Sequence, residues 1–184
     1  RALKGYLDIG DESAPLMHPR PRLGDERLLD DAQFIAAHDF VVAVRGPKRI
    51  ATCDRMLALN ATLPLIVHPA GTVSATAKVG AGTIVSAGAI IQQDARVGRF
   101  CILNTSCSID HDGVVGDHVA VSPGARTAGN VTIEDNVFVG LGALIIGGVT
   151  IGAGATVGAG AVVLRNVAAG STVVGNPAKP LLRG

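Results

Sequence analysis

Every sixth residue from Val67 onward, through Val73, Val79, Val85 and Ile91 to Val157, Val163 and Ala169, forms a column in which sixteen of eighteen positions are Val, Ile or Leu. A random column at this composition would hold roughly a third of such residues, so the period reports a repeating fold. The two exceptions are Thr127 and Ala169. The residue two before each column position is mostly small, as in Ala77, Thr83, Ala89, Ala95, Cys101, Cys107, Gly113 and Ala125. Positions i−2 and i lie on one side of an extended chain, so each hexad predicts a short strand that buries one branched and one small side chain. The intervening residues are rich in Gly, Ala, Asp and Asn, as a bend requires. Strand and bend in alternation predict a triangular prism with 18 residues per coil and about six coils, stacked at roughly 4.8 Å.

Residues 1–65 follow another pattern. "GYLDIG" and "DFVVAVRG" have the apolar character of buried strands ending in polar residues or Gly, "DAQFIAA" and "PKRIATCDRMLALN" have helical spacing, and "LPLIV" leads into the first coil. Alternating strands and helices predict a small parallel α/β unit. A first strand with its Gly-rich turn is expected before residue 1. The expected division is therefore an α/β domain over 1–65, a β-helix over 66–175 and a C-terminal tail over 176–184.

Composition agrees with stacked coils. With 24 Gly, no Trp and only 3% aromatic residues, a core must be filled by repeated layers of small aliphatic side chains. The formal net charge of +1 supplies no basic excess for a phosphate backbone, so nucleic acid is not expected as a partner. Mean hydropathy is positive, yet Gly, Asp, Asn or Arg interrupts every apolar run before the roughly 18 residues of a membrane span, and no membrane insertion is expected. The three cysteines, Cys53, Cys101 and Cys107, are odd in number and lack metal-ligand spacing, which predicts a reducing, cytoplasmic setting.

Candidate chemistry sits in "SIDHDG", residues 108–113. The coil period places His111 at a corner of the prism, where side chains leave the core, with Gly129 one coil above and Gly147 continuing the column. Leu141 and Ala159 form a second column on another corner. An imidazole beside a residue without a side chain offers a general base next to an accessible backbone N–H, the pairing that acyl transfer needs. Either Asp110 or Asp112 is placed to fix the ring's tautomer and stabilise the imidazolium, and the sequence leaves open which one does so. Three polar residues on a water-facing edge are the structural alternative.

The repeats, densest in "NVTIEDNVFVGLGALIIGGVTIGAGATVGAGAVV", resemble the hexapeptide acyltransferases, whose prisms are left-handed parallel β-helices. That likeness implies left-handed coils, against the right-handed rule for parallel crossovers. The run "ILNTSCSIDHDGVVGDHVAVSPGARTAGNV" is similar to the branch of nucleotide-sugar N-acetyltransferases and sialic-acid O-acetyltransferases that carry an N-terminal α/β domain. The resemblance implies His111 as base, Asp112 as its orienting acid, Asn104 near the nucleophile, and Gly129, Leu141 and Ala159 in contact with acetyl-CoA. It also implies a homotrimer with active sites between subunits. "GNPAKP" resembles the segment that closes these helices and brings Lys179 toward the nucleotide end of CoA. Asp8 and Gly46 match the places where the α/β unit meets the nucleotide of the sugar, although Arg45 stands where the family has Gly. Arg20, Arg22 and Arg27 are candidates for its phosphates or plain surface residues. Two departures stand out: the family's second histidine, nine residues past the first, is Ala120 here, with His118 two positions earlier, and the acid after the base is Asp112 rather than Glu.

The resulting expectation is an acetyl-CoA-dependent acetyltransferase acting on the amino group of a nucleotide-linked amino sugar by direct transfer, with no metal. Alternatives are O-acetylation of sialic acid or another sugar hydroxyl, and a non-catalytic trimeric scaffold. A zinc enzyme would need His68, His111 and His118 at a spacing this chain does not have. A covalent route through Cys101 or Cys107 meets two thiols at inward positions.

Overall fold

A computed structural model describes residues 4–8, 21–42 and 47–181. The chain divides into two compact units, Arg1–Leu63 and Pro64–Gly184.

In the first unit, β1 (Tyr6–Asp8) pairs in parallel with β2 (Arg22–Asp25), and a 3-10 turn over Glu26–Asp30 follows. Helix α1 (Ala32–Ala37) is capped by Asp31, whose side chain accepts the N–H groups of Gln33 and Phe34 at 2.8 and 3.1 Å. That satisfies donors which a helix start leaves unpaired. Helix α2 (Pro47–Ala58) buries Cys53 and Met56. Both helices coincide with the segments of helical spacing. The expected strand over "DFVVAVRG" is reduced to a parallel bridge between Asp39 and Thr62, and residues 43–46 lie outside the described residues. The strand β2 has no counterpart in the sequence pattern, because "RLGD" has too few apolar residues to announce one.

The second unit is a left-handed parallel β-helix. Two-residue strands recur every six residues and stack into three faces. Face 1 contains Ile66–Val67, Ile84–Val85, Ile102–Leu103 and their successors; face 2 contains Thr72–Val73, Ile90–Ile91, Ser108–Ile109 and theirs; face 3 contains Lys78–Val79, Arg96–Val97, Val114–Val115 and theirs. Partners are 18 residues apart, as in Ile84↔Ile102 and Val114↔Thr132. The second strand residue points inward, and Ile91, Leu103, Ile109, Val121 and Ile133 are all buried with the small residues Ala89, Cys101, Cys107 and Ala125. Truncating one such Ile to Ala would cost about 2–5 kcal/mol.

The six-residue frame ends at Val163. The last coil is two residues shorter: Ile151 pairs with Val167 and Val157 with Val173, both 16 residues apart. Val167 is therefore buried, while Ala169, the expected core position, is exposed. Asn166 supports the shortcut by accepting the Thr150 N–H through Oδ1 at 2.9 Å. The chain then turns back, and Lys179–Pro180 closes face 1 as an antiparallel strand.

Candidate active site

The corner between faces 2 and 3 carries Gln93, His111, Gly129 and Gly147 in successive coils. His111 and Gly129 are tied through the backbone, since Asn130 donates its N–H to the His111 carbonyl at 3.0 Å. The imidazole lies against the Cα of Gly129. A Cβ there would meet Nδ1 at 2.9 Å and would overlap Cε1 and Nε2 more severely. Gly129 has no positive φ, so its backbone would accept any residue, and the ring's position is what excludes a side chain.

The two aspartates divide the work. Asp112 Oδ2 lies 2.9 Å from His111 Nδ1, while Asp110 Oδ1 accepts the His111 backbone N–H at 2.7 Å. Asp112 adopts a left-handed backbone at φ 57°, a conformation that Asp tolerates better than most residues. The shorter acid thus reaches the ring without the extra methylene of Glu. With Nδ1–H donated to a carboxylate, the neutral ring presents Nε2 as its acceptor. The Asp112 hydrogen bond raises the His111 pKa above its ordinary value; partial desolvation opposes this, and the nearby charges of Asp110 and Asp112 add to it. The site is open, with the His111 side chain 47% exposed.

Asn104 is not brought to His111 within the chain. It lies beside the corner between faces 1 and 2, where its side-chain oxygen accepts the Thr105 N–H at 2.8 Å. Leu141 and Ala159 occupy that same corner, both exposed, in successive coils linked by Gly160 N–H to Leu141 O at 2.7 Å. Lys179 is exposed in the closing strand. Asp8 ends β1, its side chain lying outside what is described, and Gly46, Arg45 and Arg20 lie outside the described residues. The Arg27 guanidinium is engaged by Asp25 at 2.6 Å. Ala120, at the position where the resemblance implies a second histidine, is a strand residue on face 1. His118 stands on the third corner, its ring tilted by 30° against that of Phe100 with centroids 5.1 Å apart.

Burial pushes the Cys107 thiol up to about 12, and Cys101 donates its thiol to Gly116 O at 3.1 Å. Neither has the character of a thiolate nucleophile. Among the described residues no three His, Cys, Asp or Glu side chains cluster as a metal site would. No helix among them is long and apolar enough to cross a membrane. A residue not expected at the site joins it: Thr127, whose buried hydroxyl accepts the Asp110 N–H at 3.1 Å. The signal was its place as a polar member of an aliphatic column.

The family model described as the hexapeptide repeat of succinyl-transferase matches residues 130–165. A sequence search of curated proteins found no significant match. Among solved structures, the chain is similar to the acetyltransferase domain of PglB from Neisseria gonorrhoeae FA1090 at 35% identity and a TM-score of 0.89, covering 96% of this chain and 87% of that one. The same domain is also solved in complex with acetyl coenzyme A. PerB from Caulobacter crescentus, solved with CoA and GDP-perosamine, is similar at 32% identity and a TM-score of 0.83, covering 88% of this chain and 79% of that one. WeeI from Acinetobacter baumannii AYE matches at 30% identity and a TM-score of 0.85, covering 96% and 85%. With prism, columns and overall sequence in agreement, the chain belongs to the hexapeptide-repeat sugar acetyltransferases.

Proposed function

We propose that the protein transfers the acetyl group of acetyl-CoA directly to the amino group of a nucleotide-linked amino sugar, with His111 as general base. The observation that carries this reading is the imidazole resting on Gly129 with Nδ1 held by Asp112 and Nε2 left to accept a proton. In the reaction, Nε2 takes the proton of the attacking amine as nitrogen bonds to the thioester carbonyl, and Asp112 stabilises the imidazolium that forms. The N–H of Gly129, which has no acceptor among the described residues, is the donor to the carbonyl oxygen as it gains charge. Collapse of the adduct releases the CoA thiolate, which takes up the proton. The acetyl donor is a substrate here, and no metal enters the chemistry.

The substrate class rests on PerB, solved with GDP-perosamine, and on the α/β unit of residues 1–65, which we assign to the nucleotide with Asp8 and Gly46 as contacts. Leu141, Ala159 and Lys179 are assigned to the donor, and Asn104 to the nucleophile from a neighbouring subunit. A homotrimer with sites between subunits is supported by exposed apolar residues flanking the Leu141 corner, Ile66 and Phe138 on face 1 and Ile90 and Leu144 on face 2. Large apolar side chains left exposed on both sides of one edge are what an association surface supplies. We place the enzyme in the cytoplasm, where its three cysteines stay reduced as thiols.

The test is acetyl-CoA consumption against a panel of nucleotide-linked amino sugars with free sialic acid included, for the wild type and His111→Ala. Loss of about 10²–10⁴-fold in kcat with folding intact is expected. Normal turnover by the variant removes His111 as base. Turnover confined to sialic acid moves the acceptor from nitrogen to oxygen.

A further inference from the structure

Along the helix, the residue after each inward strand position donates its backbone N–H to the carbonyl of the inward residue one coil on. Gln92 does so to Ile109, Asn104 to Val121, Gly116 to Ile133, Ser122 to Val139 and Ala128 to Ile145, all at 2.7–2.9 Å. Asp110 breaks the series: its N–H goes to the side-chain oxygen of Thr127 at 3.1 Å. The strand pairing shows the same break. Successive two-residue strands elsewhere in the helix pair at both residues, as in Ser108↔Ile90 with Ile109↔Ile91, but Ser108–Ile109 meets Arg126–Thr127 only through Ser108↔Arg126.

We infer that Thr127 is a positioning residue for His111: by offering a hydroxyl where the ladder offers a carbonyl, it draws the Ile109–Asp110 peptide out of register and sets the corner that carries the imidazole. The physical reason lies in where the acceptor sits. A hydroxyl on Cβ is displaced from the main-chain carbonyl, and the peptide that donates to it must follow. The bonds that hold the ring, from His111 N–H to Asp110 Oδ1 and from Nδ1 to Asp112 Oδ2, start from that displaced peptide. Thr127 is 6% exposed and stands where its neighbours in the column, Val121 and Ile133, are aliphatic. Packing alone therefore favours Val at this position, and the hydroxyl at the level of His111 calls for another cause. Valine has no acceptor to offer, so the Asp110 N–H would return to the carbonyl and the corner would shift with it.

This inference rests on His111 being the base, and the test separates the two. Thr127→Val, Thr127→Ser and Thr127→Ala would be compared with His111→Ala in the full chain, measuring kcat, KM for acetyl-CoA, melting temperature and the titration of the His111 ring by NMR. Thr127→Val should fold with a melting temperature at or above that of the wild type, lose about tenfold in kcat with KM unchanged, and move the His111 titration toward the ordinary imidazole value. Thr127→Ser, which keeps the hydroxyl, should restore most of the rate. If Thr127→Val fails to fold, the contrast between Ser and Ala carries the same test. Unchanged kcat and an unchanged His111 titration in the hydroxyl-free variants would overturn the inference. If His111→Ala keeps full turnover, the base assignment falls, while a displaced titration in Thr127→Val would still uphold the positioning.

Discussion

Two corners of the same prism use the same 18-residue offset in opposite ways. On the corner between faces 3 and 1, Asp117 stands one coil above Arg99 and reaches down to it, accepting the backbone N–H at 2.6 Å and the guanidinium at 2.6 and 3.0 Å. Asp135 repeats the move on Asp117, accepting its N–H at 2.8 Å. On the corner between faces 2 and 3, the residue above His111 is Gly129, which has nothing to reach down with. The His111 N–H is capped instead from its own coil by Asp110, and the ring occupies the space a side chain at 129 would fill. One corner is a ladder that binds coils together. The other gives up that ladder, leaving an imidazole and an open peptide edge on the surface. On the proposed reading, a stacked fold gains room for a reacting group where one rung omits its side chain, with the rest of the column supplying rigidity.

The sharpest way to break the comparison is to put a side chain back. Gly129→Ala adds only a Cβ, but that atom collides with the imidazole, so kcat should fall by about 10²-fold. Circular dichroism and melting temperature should stay near wild type, since the backbone at 129 needs no glycine conformation. Wild-type turnover by this variant would show that the ring's resting place does not matter to the reaction.

A smaller effect is expected from Asp112→Asn. In the wild type the Asp112 bond favours the protonated ring, so with His111 as the proposed base kcat/KM should climb with pH through a limb lying above about 6.5. Removing the carboxylate should move that limb to lower pH. It should also reduce the plateau roughly ten- to a hundredfold through loss of ring orientation. A pH–rate profile of both proteins checks the sign.

The ladder corner should answer in stability and not in rate. Burial pushes the Asp117 carboxyl up, but hydrogen bonds from the Arg99 side chain and backbone, with the guanidinium charge, hold it below the usual value. A depressed carboxyl contributes stability above its unfolded pKa, near 3.9, and the contribution is lost as pH falls through the folded value. Asp117→Ala should thus cost about 1–2 kcal/mol near neutral pH, discounted for partial exposure, and the difference from wild type should vanish in acid. Urea melts at two pH values measure it, and kcat should be unchanged.

Much of this architecture is legible in one dimension because a two-residue strand followed by a bend is a local unit, and its inward positions must be apolar wherever they fall. The column from Val67 to Val163 predicts the three faces, and the 18-residue sum of three hexads by itself puts Gly129 above His111. The α/β unit is less legible: α1 and α2 announce themselves by helical spacing, whereas Arg22–Asp25 becomes a strand through its partner Tyr6–Asp8 and not through its own composition.

What the sequence determined by itself is the period, and with it the faces, the corners and the vertical neighbours, since those follow from side-chain alternation and bend chemistry within each hexad. Tertiary structure decided the rest. It chose Asp112 over Asp110 for the ring, shortened the last coil so that Val167 replaced Ala169 in the core, and handed the Asp110 N–H to the Thr127 hydroxyl. Each of these depends on how neighbouring coils and side chains meet in space, which no residue's local pattern encodes.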